Sequence, residues 1–273
     1  MQNKATENEN IKIVYANTGD ENEETLQFID KCEKHFGWKI IWVEGVYNPT
    51  RGIGIRSKEV NFETASRKGE PFKEMVAKYG IPNIQAPYCS HYLKRDVIRY
   101  YLKEQEWKDY YTAIGVRADE VDRISSKWQE DKLIYPLIHL GVTKPFVNKF
   151  WRDMPFRLEL KGYEGNCKVC WKKSLRKHLT IAKENPEKYE AFSDIEKKYE
   201  NFIPEGRKEN ENIKLPMRFF RGNLTTEKIL ELSKEEFEPA TDDSINYVEY
   251  KQLQLFGYDL DKGSGCLESC DAF

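Results

Sequence analysis

Two cysteines separated by two residues, Cys167 and Cys170 in Gly165-Asn166-Cys167-Lys168-Val169-Cys170, give the sharpest chemical signal in this chain. With a glycine before them and a helix-forming run after them, that spacing lets both sulfurs face one metal ion. A dithiol that binds nothing, or a reversible disulfide, is the competing reading. One C-x-x-C supplies half of a tetrahedral site, so Cys89 is the first candidate to join it, and Cys266 or Cys270 could complete four ligands. Cys89 lies in Tyr88-Cys89-Ser90-His91-Tyr92-Leu93-Lys94, where a helix is expected to start. The helix dipole favours a thiolate there and Lys94 lies one turn on, although a cysteine in such a place is more often structural.

Arg117 and Arg123, six residues apart in the loop after Ile114-Gly115-Val116, have the forked donors that clamp phosphate or sulfate. Asp119 and Glu120 in the same loop would instead neutralise them in a surface ion-pair cluster, which is the default for such a segment. Behind the C-x-x-C, Lys168, Lys172, Lys173, Arg176 and Lys177 add positive charge that could attract an anionic substrate or a nucleic-acid backbone, or simply form a solvated helix face. His35, His91, His139 and His178 show no metal-ligand spacing, and no G-x-S-x-G, Walker or G-x-G-x-x-G sequence is present. Cys32 falls on the apolar stripe of its helix and reads as core.

The elements that must position these groups begin with Ile11 to Thr25. Strand character over Ile11 to Tyr15 runs into the turn Ala16-Asn17-Thr18-Gly19 and then into an acidic helix start. Such a unit predicts a parallel sheet whose ligands sit at the carboxyl ends of its strands, which places Asn17, Thr18 and Gly19 at that edge. The spacing predicts a helix over 23–36 stopped by Gly37, then a strand over 39–43, a βαβ unit with right-handed crossover. Residues 44–69, with Pro49, Gly45, Gly52, Gly54 and Gly69, read as one long loop. Helices are expected over 71–79, 90–103, 144–151, 171–183 and 186–199, and strands over 110–116 and 133–137.

A chain of 273 residues with 39% hydrophobic and 33% charged residues is long enough for one large domain or a domain with an added lobe. The formal net charge of −2 argues against a generally basic nucleic-acid-binding surface, and six cysteines are too few for a secreted disulfide framework. No apolar run approaches a bilayer span and the opening MQNKATENEN is no secretory signal, so a cytoplasmic location without membrane attachment is expected.

Taken together, these segments resemble the phosphoadenosine phosphosulfate (PAPS) reductase family within the adenine nucleotide alpha-hydrolase (PP-loop) superfamily, in the short form found in phages and bacteria. Asn17-Thr18-Gly19 with Glu24-Thr25 is similar to the family's Asp-Thr-Gly and Glu-Thr. Phe62 to Phe72, Cys89 to Lys94, Ile114 to Glu120 with Arg123, Tyr135-Pro136-Leu137 and Gly165 to Cys170 follow in the family's order over about residues 11 to 200. The resemblance implies an α/β fold with a Rossmann-like parallel core over 1–163 and a C-x-x-C helical lobe over 164–273. It implies an adenine nucleotide, PAPS or ATP, held by Asn17, Thr18, Gly19, Glu24, Thr25, Lys94, Arg117 and Arg123. Cys89, Cys167 and Cys170 would bind a 4Fe-4S cluster or zinc, and Cys266 or Cys270 would be the nucleophile that meets the sulfonate and then a thioredoxin-like reductant.

Three departures stand out. The family's phosphate loop would lie one strand and one helix before Ile11, so the core is expected to be N-terminally incomplete. Its sheet edge would then be covered by a second copy or a partner chain. Asn17 replaces the family's aspartate, and Cys89 is single where cluster-bearing reductases have a pair. The competing functions are an ATP-dependent sulfur transferase acting on nucleic acid or a small molecule, and a non-catalytic nucleotide-binding or regulatory protein.

Overall fold

The computed structural model describes residues 10–50, 52–204 and 215–245. Cys266 and Cys270 lie outside the described residues. The chain is a mixed α/β protein. Strand β1 (Ile13–Asn17), helix α1 (Glu23–Phe36) and strand β2 (Ile40–Tyr47) form the expected βαβ unit, with β1 parallel to β2 and Ile13 opposite Ile40. Glu23 and Glu24 in the first turn of α1 suit its positive end, and Gly37 closes the helix in the left-handed region at φ 65°, donating to Glu33 O.

The loop expected over 44–69 is not a loop throughout. Strand β2 runs on to Tyr47 and turns back into β3 (Ile55–Val60), which pairs antiparallel with it, Trp42 opposite Val60. The sequence IRSKEV hides this strand because only its ends, Ile55 and Val60, are apolar, while Arg56, Lys58 and Glu59 are exposed to water as on a sheet edge. Gly45 has a packing reason. A Cβ there would collide with the ring and hydroxyl of Tyr47, and that hydroxyl donates to Tyr92 O at 2.7 Å.

The strands expected over 110–116 and 133–137 shrink to β4 (Thr112–Ala113) and β5 (Leu133–Ile134), a separate parallel pair. Pro136 opens helix α4 (Pro136–His139) instead of continuing the strand, because it lacks the ladder donor and suits a first helical turn. Upstream lie α2 (Glu70–Tyr79) and a helical run over 88–104, called α3 here, in which Tyr88–Ser90 and Asp96–Glu104 flank a π-helical stretch His91–Arg95. Downstream follow α5 (Lys144–Arg152), α6 (Leu175–Glu184), α7 (Glu187–Tyr199) and α8 (Thr226–Leu232). Helix α6 begins four residues later than expected because Ser174 caps it, accepting from Lys177 N.

The sheet is covered on both faces. Leu26 of α1, Trp42 and Ala65 fill one side, and Ala16 and Val43 pack against Val97 and Leu102 of α3 on the other. Full burial of side chains such as Leu26 and Val43 stabilises the fold by roughly 1.5–3 kcal/mol each. The largest apolar cluster joins α2 and α3 to the C-terminal helices: Phe72, Met75, Val76 and Leu93 share it with Trp171, Ile181, Tyr189, Phe192, Phe219 and Ile229. Residues on both sides of position 163 therefore build one core. No helix among the described residues is long and apolar enough to cross a membrane.

Candidate functional site

The turn after β1 is held from within and from far along the chain. Glu21, 3% exposed, accepts from Thr18 N at 3.0 Å and Thr18 Oγ1 at 2.8 Å through one carboxylate oxygen. Its other oxygen has no partner among the described residues. Gly19 turns at φ 77°, where a Cβ would lie 2.8 Å from Pro71 Cδ, so only glycine fits between the turn and α2.

The cysteine loop docks on this turn by backbone pairing. Asn22 N donates to Asn166 O at 2.8 Å, Lys168 N donates to Asp20 O at 2.9 Å, and Asn22 Nδ2 donates to Gly165 O across 143 residues of sequence. Lys168 Nζ reaches Arg67 O at 2.9 Å, and Lys173 Nζ supports the loop at Cys167 O at 3.2 Å. The C-x-x-C is thus fixed at the carboxyl end of β1.

The third contribution comes from α3. Lys94 lies in the π-helical stretch that follows the turn carrying Cys89, and both residues line the same pocket. Trp171 Nε1 donates to Cys89 Sγ at 3.4 Å and ties the helix to the segment after the C-x-x-C.

One pocket results, with a volume of about 40 Å³, room for a few water-sized groups. Its polar wall is Thr18, Asp20, Lys94 and the three cysteines Cys89, Cys167 and Cys170, and its apolar wall includes Phe72, Trp171, Phe192, Phe219 and Phe220. The pocket joins groups from the turn after β1, the π stretch, the cysteine loop and the C-terminal lobe. Burial, helped by neighbouring Glu21, raises the Asp20 carboxyl to about 7, against the pull of Lys168, Lys173 and Lys73. Those lysines and Lys94 make the surroundings cationic, and Lys172 and Lys173 are only 5% and 3% exposed. The combination of thiols, cations and a water-poor wall suits a small anionic group.

Sequence reasoning named Thr18, Lys94, Cys89, Cys167 and Cys170, and the structure brings these five together. It missed Asp20 and the aromatic wall. Asp20 follows the turn motif without belonging to it, and Phe219 and Phe220 lie in a stretch with no periodic signal.

The remaining site candidates lie elsewhere. Asn17 is fully buried and built into the fold: its Nδ2 donates to Glu44 Oε1 at 2.7 Å and to Ser66 O at 2.9 Å, while its Oδ1 accepts from Gly19 N. Burial alone would raise the Glu44 carboxyl. Donation from Ser66 N, Asn17, Lys58 and Ser66 Oγ outweighs that and holds it below the usual range. Thr25 is buried in α1, and Glu24 is exposed on the same helix. Arg117 and Arg123 form the ion-pair cluster that is the default for their loop. Glu120 lies 3.1 Å from Arg117 and 2.7 Å from Arg123, and Asp119 lies 3.0 Å from Arg117. Neither arginine is among the residues that line the thiol pocket.

Among the described residues, no three histidine, cysteine, aspartate or glutamate side chains are grouped closely enough to hold a metal ion. The three sulfurs expected to bind zinc or a cluster share a wall but do not, as they stand, form a coordination sphere.

The chain is 25% identical over 277 residues to the uncharacterized nin region protein ORF290 of Escherichia phage lambda, a match that covers all of this chain and 89% of that protein. It is 24% identical over 199 residues to an uncharacterized protein of Methanocaldococcus jannaschii, covering 69% of this chain and 36% of that protein. No family model matches the chain, and no solved structure matches it.

Proposed function

We propose that the chain is a PAPS reductase-like enzyme, which admits the sulfonate end of an adenylated anion to the thiol pocket and reduces it with cysteine thiols. The observation that carries this reading is the meeting of Thr18, Lys94, Cys89, Cys167 and Cys170 in one small pocket at the carboxyl end of β1. Strand ends of open α/β sheets are where such folds place ligands. A sulfonate is compact and anionic, so lysines can hold it while an apolar wall excludes the water that would compete with a thiolate.

The chemistry closes with thiols alone. A thiolate attacks the sulfonate sulfur, the sulfur–oxygen bond to the nucleotide phosphate breaks, and the electron pair leaves on that phosphate. A second thiolate then attacks the S-sulfocysteine, which releases sulfite and leaves a disulfide. An external thiol reductant of the thioredoxin class reopens it. Cys167 and Cys170 have the spacing for such a pair. By the family resemblance, Cys266 or Cys270 delivers the first attack. Cys167 is then the second thiolate, and Cys170 displaces the attacking cysteine from the mixed disulfide, which leaves the Cys167–Cys170 disulfide for the reductant to reopen.

The test is sulfite release from PAPS with a thioredoxin-type reductant, together with protection of the pocket cysteines from alkylation by PAPS. Cys167→Ser and Cys170→Ser should each abolish turnover, and Lys94→Ala should raise KM. The reading fails if PAPS is neither turned over nor able to slow alkylation of Cys89, Cys167 and Cys170.

A further inference from the structure

A second cavity, of about 260 Å³, lies on the other side of the cysteine loop, between α1, α5 and the segment 157–165. Gly165 lines it and Cys167 lines the thiol pocket, so the two spaces share one loop as a wall. Phe28 and Trp151 form its back, where they pack against each other and against Phe36, Phe150 and Phe156. Those rings are spent within the fold. What an occupant meets is the apolar surface of Val147, Leu158 and Leu160, together with Arg157. Lys144 is ion-paired with Asp243, and Lys161 with Glu184. Arg157 is held more loosely: Glu159 lies 3.6 Å from its Nε, and the two side chains are 44% and 61% exposed.

The described residues end at the mouth of this cavity, and they are strapped there. Asp242 accepts from Gly162 N at 2.8 Å on one wall, and Asp243 is bound on the other by Lys144 and, through its carbonyl, by Asn148 Nδ2 at 3.2 Å. Gly162 has room for no side chain, since a Cβ there would collide with Asp243. Ser244 then lines the cavity itself, and Ile245 after it is 53% exposed. The sequence continues Asn246-Tyr247-Val248-Glu249-Tyr250. Two tyrosines, a valine and the first carboxylate beyond the strap thus follow within a few residues of an apolar cavity that carries a weakly paired guanidinium. A segment tethered at the lip also meets the cavity at an effective concentration on the order of mM, which a free ligand or a second copy must exceed.

We infer that residues 247–250 are the occupant. Tyr247, Val248 and Tyr250 cover Val147, Leu158 and Leu160, and Glu249 pairs with Arg157. This closes the cavity and buttresses Gly165 from behind, which steadies the cysteine loop. The inference does not rest on the proposed reaction, and its test uses no PAPS.

The test is photo-cross-linking in the full chain. A benzophenone amino acid in place of Tyr247 should cross-link within one chain to a peptide from 144–161, identified by mass spectrometry, and the same label at Tyr250 should reach that peptide too. Glu249→Arg should cut the yield by about fivefold or more, Arg157→Glu likewise, and the two reversals together should restore it. In the unlabelled chain, Glu249→Arg should speed alkylation of Cys167 by about twofold or more, and adding Arg157→Glu should bring the rate back. Cross-links between chains would make a second copy the occupant and overturn the inference. So would cross-links to other parts of the chain, no cross-link from either position, or a yield indifferent to both reversals. An alkylation rate of Cys167 that ignores Glu249→Arg would refute the buttressing of the loop.

Discussion

Replacing Asn17 with aspartate would match the pattern of the PAPS reductase family that the sequence resembles, yet the structure predicts that it damages this protein. Both Asn17 and Glu44 are 0% exposed. Asn17→Asp would convert the 2.7 Å donation from Nδ2 to Glu44 Oε1 into a contact between two carboxylates, and would also lose the donation to Ser66 O. At an effective dielectric of about 20, like charges about 3 Å apart repel by roughly 5 kcal/mol. Each lost hydrogen bond adds on the order of 1–3 kcal/mol. The pair relieves part of this by holding one proton between its two carboxyls, so a net loss of about 4 kcal/mol at pH 8 is expected. For a chain of this length that is a fall in Tm of about 10 °C.

The pH dependence fixes the cause. A carboxyl of the mutant pair has a folded-state pKa above its unfolded value of about 4, so the folded protein binds the extra proton. The penalty relative to wild type is small below about pH 4 and grows as pH rises toward the raised folded value. Thermal melts followed by circular dichroism from pH 4.5 to 8 measure it. The double variant Asn17→Asp, Glu44→Gln should recover the charge-repulsion part of the loss and with it the pH dependence, but not all of the stability, because an amide that donates to the new carboxylate no longer accepts from Ser66 N. An Asn17→Asp protein as stable as wild type at pH 8, or a deficit that ignores pH and is not rescued, would refute the reasoning.

Other expectations follow from single contacts. Gly19→Ala should cost about 2 kcal/mol or more in urea denaturation, because it forces a side chain into the left-handed region and onto Pro71. His178 is 2% exposed, and burial with Lys173 and Arg221 nearby lowers it to about 3, so it is neutral in the fold. The unfolded chain takes up that proton first. Stability should therefore decline as pH falls from about 6.5 toward 3, and His178→Gln should flatten the decline in melts across that window. Glu21→Ala removes the acceptor for Thr18 N and Oγ1 and should loosen the turn, which faster alkylation of Cys167 under native conditions would report.

The sequence made the βαβ unit legible because Ile13–Asn17, the stripe of α1 and Gly37 each follow a period that one element imposes. It also pointed to the pocket, since cysteine spacing and the run from Cys89 to Lys94 are local signals. What it concealed was non-local. β3 looks like a loop because its sheet neighbour alone makes it a strand. Arg117 and Arg123 read from the sequence either as anion ligands or as partners of Asp119 and Glu120, and the contacts put Glu120 between them. Asn17 looks like a nucleotide-binding residue that lacks the family's charge until the buried Glu44 supplies the reason for its amide. Glu44 itself carries no signal in IIWVEGVY beyond a charge in an apolar strand, an oddity whose meaning depends on Ser66, 22 residues away.

The clasp between the first turn and the cysteine loop also sets an order of events during synthesis. Asn22 and Gly165 stand 143 residues apart, and Phe219 and Phe220 arrive later still. While the ribosome is still at work the nascent chain carries its thiols without their dry lining, exposed to oxidants and to one another. Such a chain depends on a reducing environment until its last helices close over the sulfurs, so cell-free translation under mild oxidation should trap mispaired cysteines that the finished protein resists forming.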